Sequence, residues 1–130
     1  MLKAHSHALI FSNINILRNE HRLLLDTLRA RRSEGSNVVS TALLAHLRRD
    51  LYSVYCATFE DGVAALVQER AAHAKLNVWL NNAQLASGLT VDLPALLIQP
   101  VQRVPRYRLL LLEIEKLTYV RAGSDELLLT

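Results

Sequence analysis

The chain is poor in residues that mark several common protein classes. One cysteine, Cys56, stands among 130 residues. No disulfide can form within the chain, which suits a reducing compartment. Four glycines and three prolines are too few for the turn density of a β sandwich and ample for a few long helices. No apolar run reaches the roughly 18 residues that span a bilayer. The N-terminal MLKAHSHALIF lacks the long apolar stretch of a secretory signal. A cytoplasmic setting is the expectation.

Catalytic signatures are missing as well. The chain has no Walker-type phosphate loop, no GxGxxG turn and no GxSxG elbow. His5 and His7 could chelate a metal, but two histidines beside a terminus read more simply as solvated. Cys56 lies on an apolar helical stretch with no histidine nearby in sequence, so a buried structural thiol is expected. Glu113 and Glu115 sit two apart, and on a helix they diverge. The sequence thus shows no catalytic triad and no metal-binding cluster. It contains no internal repeat and no low-complexity segment.

What the chain does have is helix-forming material. Hydrophobic residues make up 51% and charged residues 21%, as in a globular domain, and leucine, alanine and arginine all favour helix. The net charge is +3 and the isoelectric point about 9.4. The basic residues form small clusters, Arg29, Arg31 and Arg32, then Arg103, Arg106 and Arg108. This mild excess fits an acidic partner or peripheral contact with an anionic membrane. It does not form the dense block expected of a nucleic-acid binder.

A first helix is predicted from His7 to Arg32, with Ile10, Ile14, Leu17, His21, Leu24 and Leu28 on one stripe. It should end in the polar cluster Ser33–Ser36, where Gly35 suits a C-terminal cap. A second helix is expected to open at Ser40 or Thr41 and to bury Leu43, Leu44, Leu47, Leu51, Val54 and Tyr55. Arg48, Arg49 and Asp50 fall on its wet side. Around Ala57 to Gly62 the pattern is ambiguous, and a bend there would let a third helix with Phe59, Val63, Leu66 and Val67 fold back or continue. That helix could reach Trp79 or Leu80. The polar stretch from Asn81 to Thr90 reads as including a loop.

The last segment packs three prolines, Pro94, Pro100 and Pro105, ahead of a run of leucines. Pro94 and Pro100 can each start a helical turn, and Pro105 either kinks the helix or restarts it. Drawn as one helix, Gln99, Gln102, Arg103, Arg106 and Glu113 occupy about 100° of arc. Leu97, Val101, Val104, Leu111 and Leu112 fall opposite, towards the expected core, with Arg108 among them. Two readings remain open. One is a recognition face of amides and guanidinium forks, which bind carboxylates and backbone amides well. The other is an ordinary amphipathic helix with a solvated side.

The run LLIQPVQRVPRYRLLLLEIEKLT, residues 96–118, resembles the third conserved region of Dbl-homology domains. That region reads Leu-Ile-Lys-Pro-Val-Gln-Arg, a hydrophobic residue, then Pro-Arg-Tyr-Pro and leucines. Pro100, Val101, Gln102, Arg103, Pro105, Arg106, Tyr107 and Leu109 to Leu111 match. IFSNINILRNEHRLLLDTLRAR, residues 10–31, resembles the family's helix with an Ile-Phe-x-Asn-Ile start and a later histidine. Phe11, Asn13, Ile14, His21, Leu24 and Leu28 match there. Tyr52 to Cys56 resemble its Tyr-x-x-Tyr-Cys. The resemblance covers residues 9–120.

It implies an all-α, elongated helical bundle that grips the switch loops of a Rho-family small GTPase and exchanges its nucleotide without a cofactor. Gln102 and Arg106 match positions that touch the switch region, and Arg106 would meet an acidic side chain there. Arg103 and Gln99 complete the candidate GTPase-binding set, Arg103 serving structure as much as contact. Tyr107 and the leucines are expected in the core. There are departures. Gln99 replaces a lysine and Arg108 a proline. The family's domain is longer, so residues 1–130 read as a domain incomplete at both ends. That predicts weak or absent exchange by this chain alone, and room for self-association through exposed apolar stripes. The alternative is a helical protein-interaction scaffold, or an exchange-factor remnant with little activity.

Overall fold

The computed structural model describes residues 3–127 apart from residue 36, with side chains as far as residue 120. Among the described residues there are seven α-helices, a short 3-10 turn and no strand. The helices are α1 (Ala4–Phe11), α2 (Ile14–Ala30), α3 (Asn37–His46), α4 (Arg49–Ala72), α5 (Ala74–Ser87), α6 (Leu93–Leu97) and α7 (Gln99–Leu127). The all-α class is thus as the sequence predicts. The chain forms two compact units. One combines the segment up to Arg18 with Arg49–Val101, the other Asn19–Arg48 with the segment from Gln102 onward.

In the first unit, α1 packs along α4. Its core is Ile10, Leu66 and Leu97, with Phe11, Ile14, Phe59, Leu80 and Leu93 against them. The approach of α1 to α4 explains Gly62. A Cβ there would stand 2.6 Å from the Leu9 carbonyl oxygen. Of the two courses left open at Ala57 to Gly62, the helix continues, and α4 runs through without a break. Gly62 provides room for a neighbouring backbone instead of a turn.

The predicted first helix is also broken, at Ser12 and Asn13. Ser12 has a positive φ of 43°, and polar groups hold it there. The Thr58 hydroxyl donates to Ser12 Oγ at 2.9 Å, and Asn13 Nδ2 donates to the Leu51 carbonyl at 2.9 Å. The stripe itself is as predicted: Ile10, Leu17 and Leu24 are buried, and Ile14, His21 and Leu28 partly so.

Farther along the same unit, Arg70 Nε donates to Asn77 Oδ1 at 2.8 Å across the break at His73. The buried Glu69 carboxylate accepts from Ser6 Oγ and lies 3.4 Å from His73 Nε2. The stretch from Asn81 to Thr90 does include a loop, but only from the left-handed Gly88 onward, Asn81 to Ser87 continuing α5. The buried Tyr55 hydroxyl donates to the Leu97 carbonyl at 2.7 Å, where α6 ends. Burial pushes the Tyr55 phenol above its ordinary value, with Cys56 adding a smaller push. Cys56 itself is exposed, not buried as expected.

The second helix opens earlier than expected, at Asn37, and a break at Leu47 and Arg48 separates α3 from α4. A single stripe drawn from Leu43 to Tyr55 carries one phase across that break. Leu44 and Val54, predicted inside, are therefore exposed at 85% and 51%. The stripes that form are Val38, Ala42 and Leu43 on α3, and Tyr52, Tyr55, Leu66 and Glu69 on α4.

Gly62→Ala is expected to destabilise the fold by about 1–3 kcal/mol, because the new methyl group overlaps a backbone atom that cannot swing aside. Urea denaturation of the variant against the parent chain checks this, and an unchanged midpoint would contradict the close approach.

Candidate functional site

The candidate residues lie along α6 and α7. Asp92 caps α6, its Oδ1 accepting from the Ala95 amide at 3.0 Å, and Pro94 occupies the first turn. Both are favoured at a helix start, where the first amides have no partner inside the helix. Gln99 opens α7 and is exposed. Pro105 lies inside α7, which continues past it without a break.

Gln102, Arg103 and Arg106 belong to the second unit, and all three are exposed. Arg106 Nη2 donates to Gln102 Oε1 across one turn over a long 3.5 Å. The two leave most of their hydrogen-bonding capacity towards solvent. Arg108 is exposed too, so no arginine is buried on the predicted apolar side.

That side does not form a core. Leu97 is buried in the first unit, but Val104, Leu111 and Leu112 are exposed at 39%, 37% and 41%, and Leu109 and Leu110 at 62% and 52%. The buried stripe of this half of α7 is Tyr107 with the half-buried Ile114, seven residues apart and on one face. A helix buries the face another element covers. Here Tyr107 packs with Leu24, Ala42 and Leu43, and with Leu28, Val39 and Leu47 around them. An apolar groove of about 730 Å3 opens along α3 and α7, lined by Val39, Leu47, Val104, Leu111, Ile114 and Tyr119 among others.

A small cluster joins α7 to α2. The Tyr107 hydroxyl and His21 Nδ1 are 2.9 Å apart, and their rings are 12° from parallel with centroids 5.9 Å apart. Arg103 lays its guanidinium carbon 4.5 Å from the Tyr107 ring centroid. His21 is held below the ordinary histidine value of 6.5, first by burial and then by the charge on Arg103, with Glu20 pulling the other way. The neutral imidazole can accept the phenol proton at Nδ1. Sequence periodicity placed His21 on the right stripe, but no local signal pairs it with a tyrosine 86 residues away.

Among the described residues no group of three or more His, Cys, Asp or Glu side chains is arranged to hold a metal ion. No helix there is long and apolar enough to cross a membrane.

The sequence profile of the RhoGEF domain matches residues 1–126. The chain belongs to the RhoGEF domain family. It is 32% identical over 126 residues to the Rho guanine nucleotide exchange factor osg-1 of Caenorhabditis elegans, covering 92% of this chain and 11% of that protein. It is 29% identical over 116 residues to the mouse pleckstrin homology domain-containing family G member 3, covering 89% and 9%. With the mouse family G member 2 it shares 33% identity over 67 residues, 52% of this chain and 5% of that protein. The chain thus spans about a tenth or less of the length of these relatives. No solved structure matches it.

For a RhoGEF domain with this cluster, pH dependence follows from His21. Its folded-state value lies below the unfolded one, so as pH falls the unfolded chain binds its proton first. The contribution to stability is present above about pH 6.5 and is lost as pH falls through the folded value. His21→Gln, which does not titrate, should flatten that part of the stability curve. Urea denaturation of both proteins between about pH 7.5 and pH 5 measures it; parallel curves would contradict the assignment.

Proposed function

We propose that this RhoGEF domain acts as a guanine nucleotide exchange module for a Rho-family small GTPase, with α7 as its docking surface. The observation that carries the reading is the outward display of Gln102 and Arg106 on α7, in a chain whose family is defined by the RhoGEF domain. Gln99, a further amide candidate, is also exposed and belongs to the first unit. Arg103 is the fourth candidate of the set.

Docking of this kind needs no cofactor on the exchange factor. Arg106 offers a planar fork to an acidic side chain of a switch loop, and Gln102 can both donate to and accept from the loop backbone. Exchange then follows from differential affinity. A surface that binds the nucleotide-free GTPase more tightly than the loaded form shifts the population towards release, by as much as that difference and no more. The positive net charge favours encounter with an acidic GTPase surface, and contact with an anionic membrane in a cytoplasmic setting fits the same sign.

A second reading has one observation in its favour. The groove along α3 and α7 and the exposed Leu109, Leu110 and Leu117 suit a scaffold that binds an apolar helix, or a second copy of the chain, and exchanges nothing.

Gln102→Ala and Arg106→Ala are each expected to weaken binding to a nucleotide-free Rho-family GTPase about tenfold or more, since each removes charge-assisted or amide hydrogen bonds. Both side chains are exposed, so the melting temperature should hold. Binding isotherms, run beside release of a fluorescent GDP analogue from several Rho-type GTPases, test the pair. Unchanged affinity would refute the docking surface, and binding without accelerated release would favour the scaffold or an exchange-factor remnant with little activity.

A further inference from the structure

We infer that Arg103 is a positioning residue: by stacking on Tyr107, which is bonded in turn to His21, it fixes the rotation of α7 and so the aim of Gln102 and Arg106, and does not itself touch the GTPase. This rests on the docking function proposed for α7 and assigns Arg103 a different part in it.

The geometry begins with how little of α7 is anchored. From residue 102 to residue 120, Tyr107 is the one buried side chain. It is 8% exposed and packs with Leu24, Ala42 and Leu43. A helix held by one buried ring can still roll about that ring. Successive residues point about 100° apart, so a roll of a few tens of degrees redirects every exposed side chain on it. Gln102 and Arg106 are the residues immediately before Arg103 and Tyr107. Whatever fixes the second pair fixes the aim of the first.

Two contacts oppose the roll. The Tyr107 hydroxyl meets His21 Nδ1 at 2.9 Å, which pins the inner end of the ring to α2. Arg103, one turn earlier, stands 4.5 Å over the ring, within the range where a guanidinium is drawn to an aromatic face. Its guanidinium stands over Tyr107, whereas Arg106 makes a long contact to Gln102. The polar arc of α7 thus divides in two. Gln102 and Arg106 project, and Arg103 turns back onto the helix's own anchor.

The test uses the full chain and a nucleotide-free Rho-family GTPase, at a temperature well below the melting point of every variant. Arg103→Ala and Arg103→Lys should weaken binding alike, by roughly fivefold, because lysine keeps the charge but lacks the planar stacking face. In an Arg106→Ala background the effect of Arg103→Ala should shrink, since only Gln102 is left to aim. A direct ion pair from Arg103 to the GTPase predicts the reverse: Arg103→Lys largely retains affinity, and the loss persists in full in the Arg106→Ala background. Either result overturns the inference.

An NMR titration of His21 separates the ways it can fail. Removing the Arg103 charge should raise the His21 midpoint. If the midpoint rises while affinity stays constant, the cluster stands and positioning is wrong. If it does not move, the stack itself is wrong. If Gln102→Ala and Arg106→Ala leave GTPase binding intact, or the parent chain does not bind, the docking reading fails and takes this inference with it.

Discussion

The second unit is organised around one aromatic ring. Tyr107 brings to a single point the apolar stripe of α2, the inner face of α3 and the only buried position of α7 between residues 102 and 120. Such a ring fills volume and carries a polar tip that must be satisfied when buried. His21 meets the tip, and Arg103 stands over the ring. The contact is therefore apolar, hydrogen-bonded and electrostatic at once. That combination gives a long, largely solvated helix a defined direction without a conventional two-sided core.

The first unit follows a different logic. Its helices are interrupted often, and several interruptions coincide with a side chain that reaches across to hold them. Thr58 and Asn13 fasten the gap between α1 and α2. Tyr55 takes the carbonyl left where α6 ends. Arg70 spans the α4–α5 break. Buried backbone and side-chain polar groups are costly when unpaired, so each such bond favours a break at that residue over one a turn away. The short helices are accordingly well placed even though none is long enough to be stable by itself.

Much of this was legible in the sequence, and the rest was hidden for identifiable reasons. The stripe Ile10, Leu17, Leu24 was readable because hydrophobic spacing survives a short break. The break itself was not, since nothing local to Ser12 announces the partners supplied by Thr58 and Leu51. Gly62 carried a real signal with two meanings, a turn or a close approach, and only a neighbouring backbone decides between them. The exposed amides and guanidinium groups of α7 were correctly read as a wet face. The leucines were misread because a helical wheel shows which residues share a side but not which side another helix covers. His21 was matched to a family position without its purpose being visible.

The exposed thiol of Cys56 has a practical corollary. As the sole cysteine of the chain, standing open on α4, it is a unique native handle for a maleimide dye or a nitroxide. A reporter can be installed in the first unit with the wild-type sequence intact, and partner engagement elsewhere on the chain followed by fluorescence or electron paramagnetic resonance.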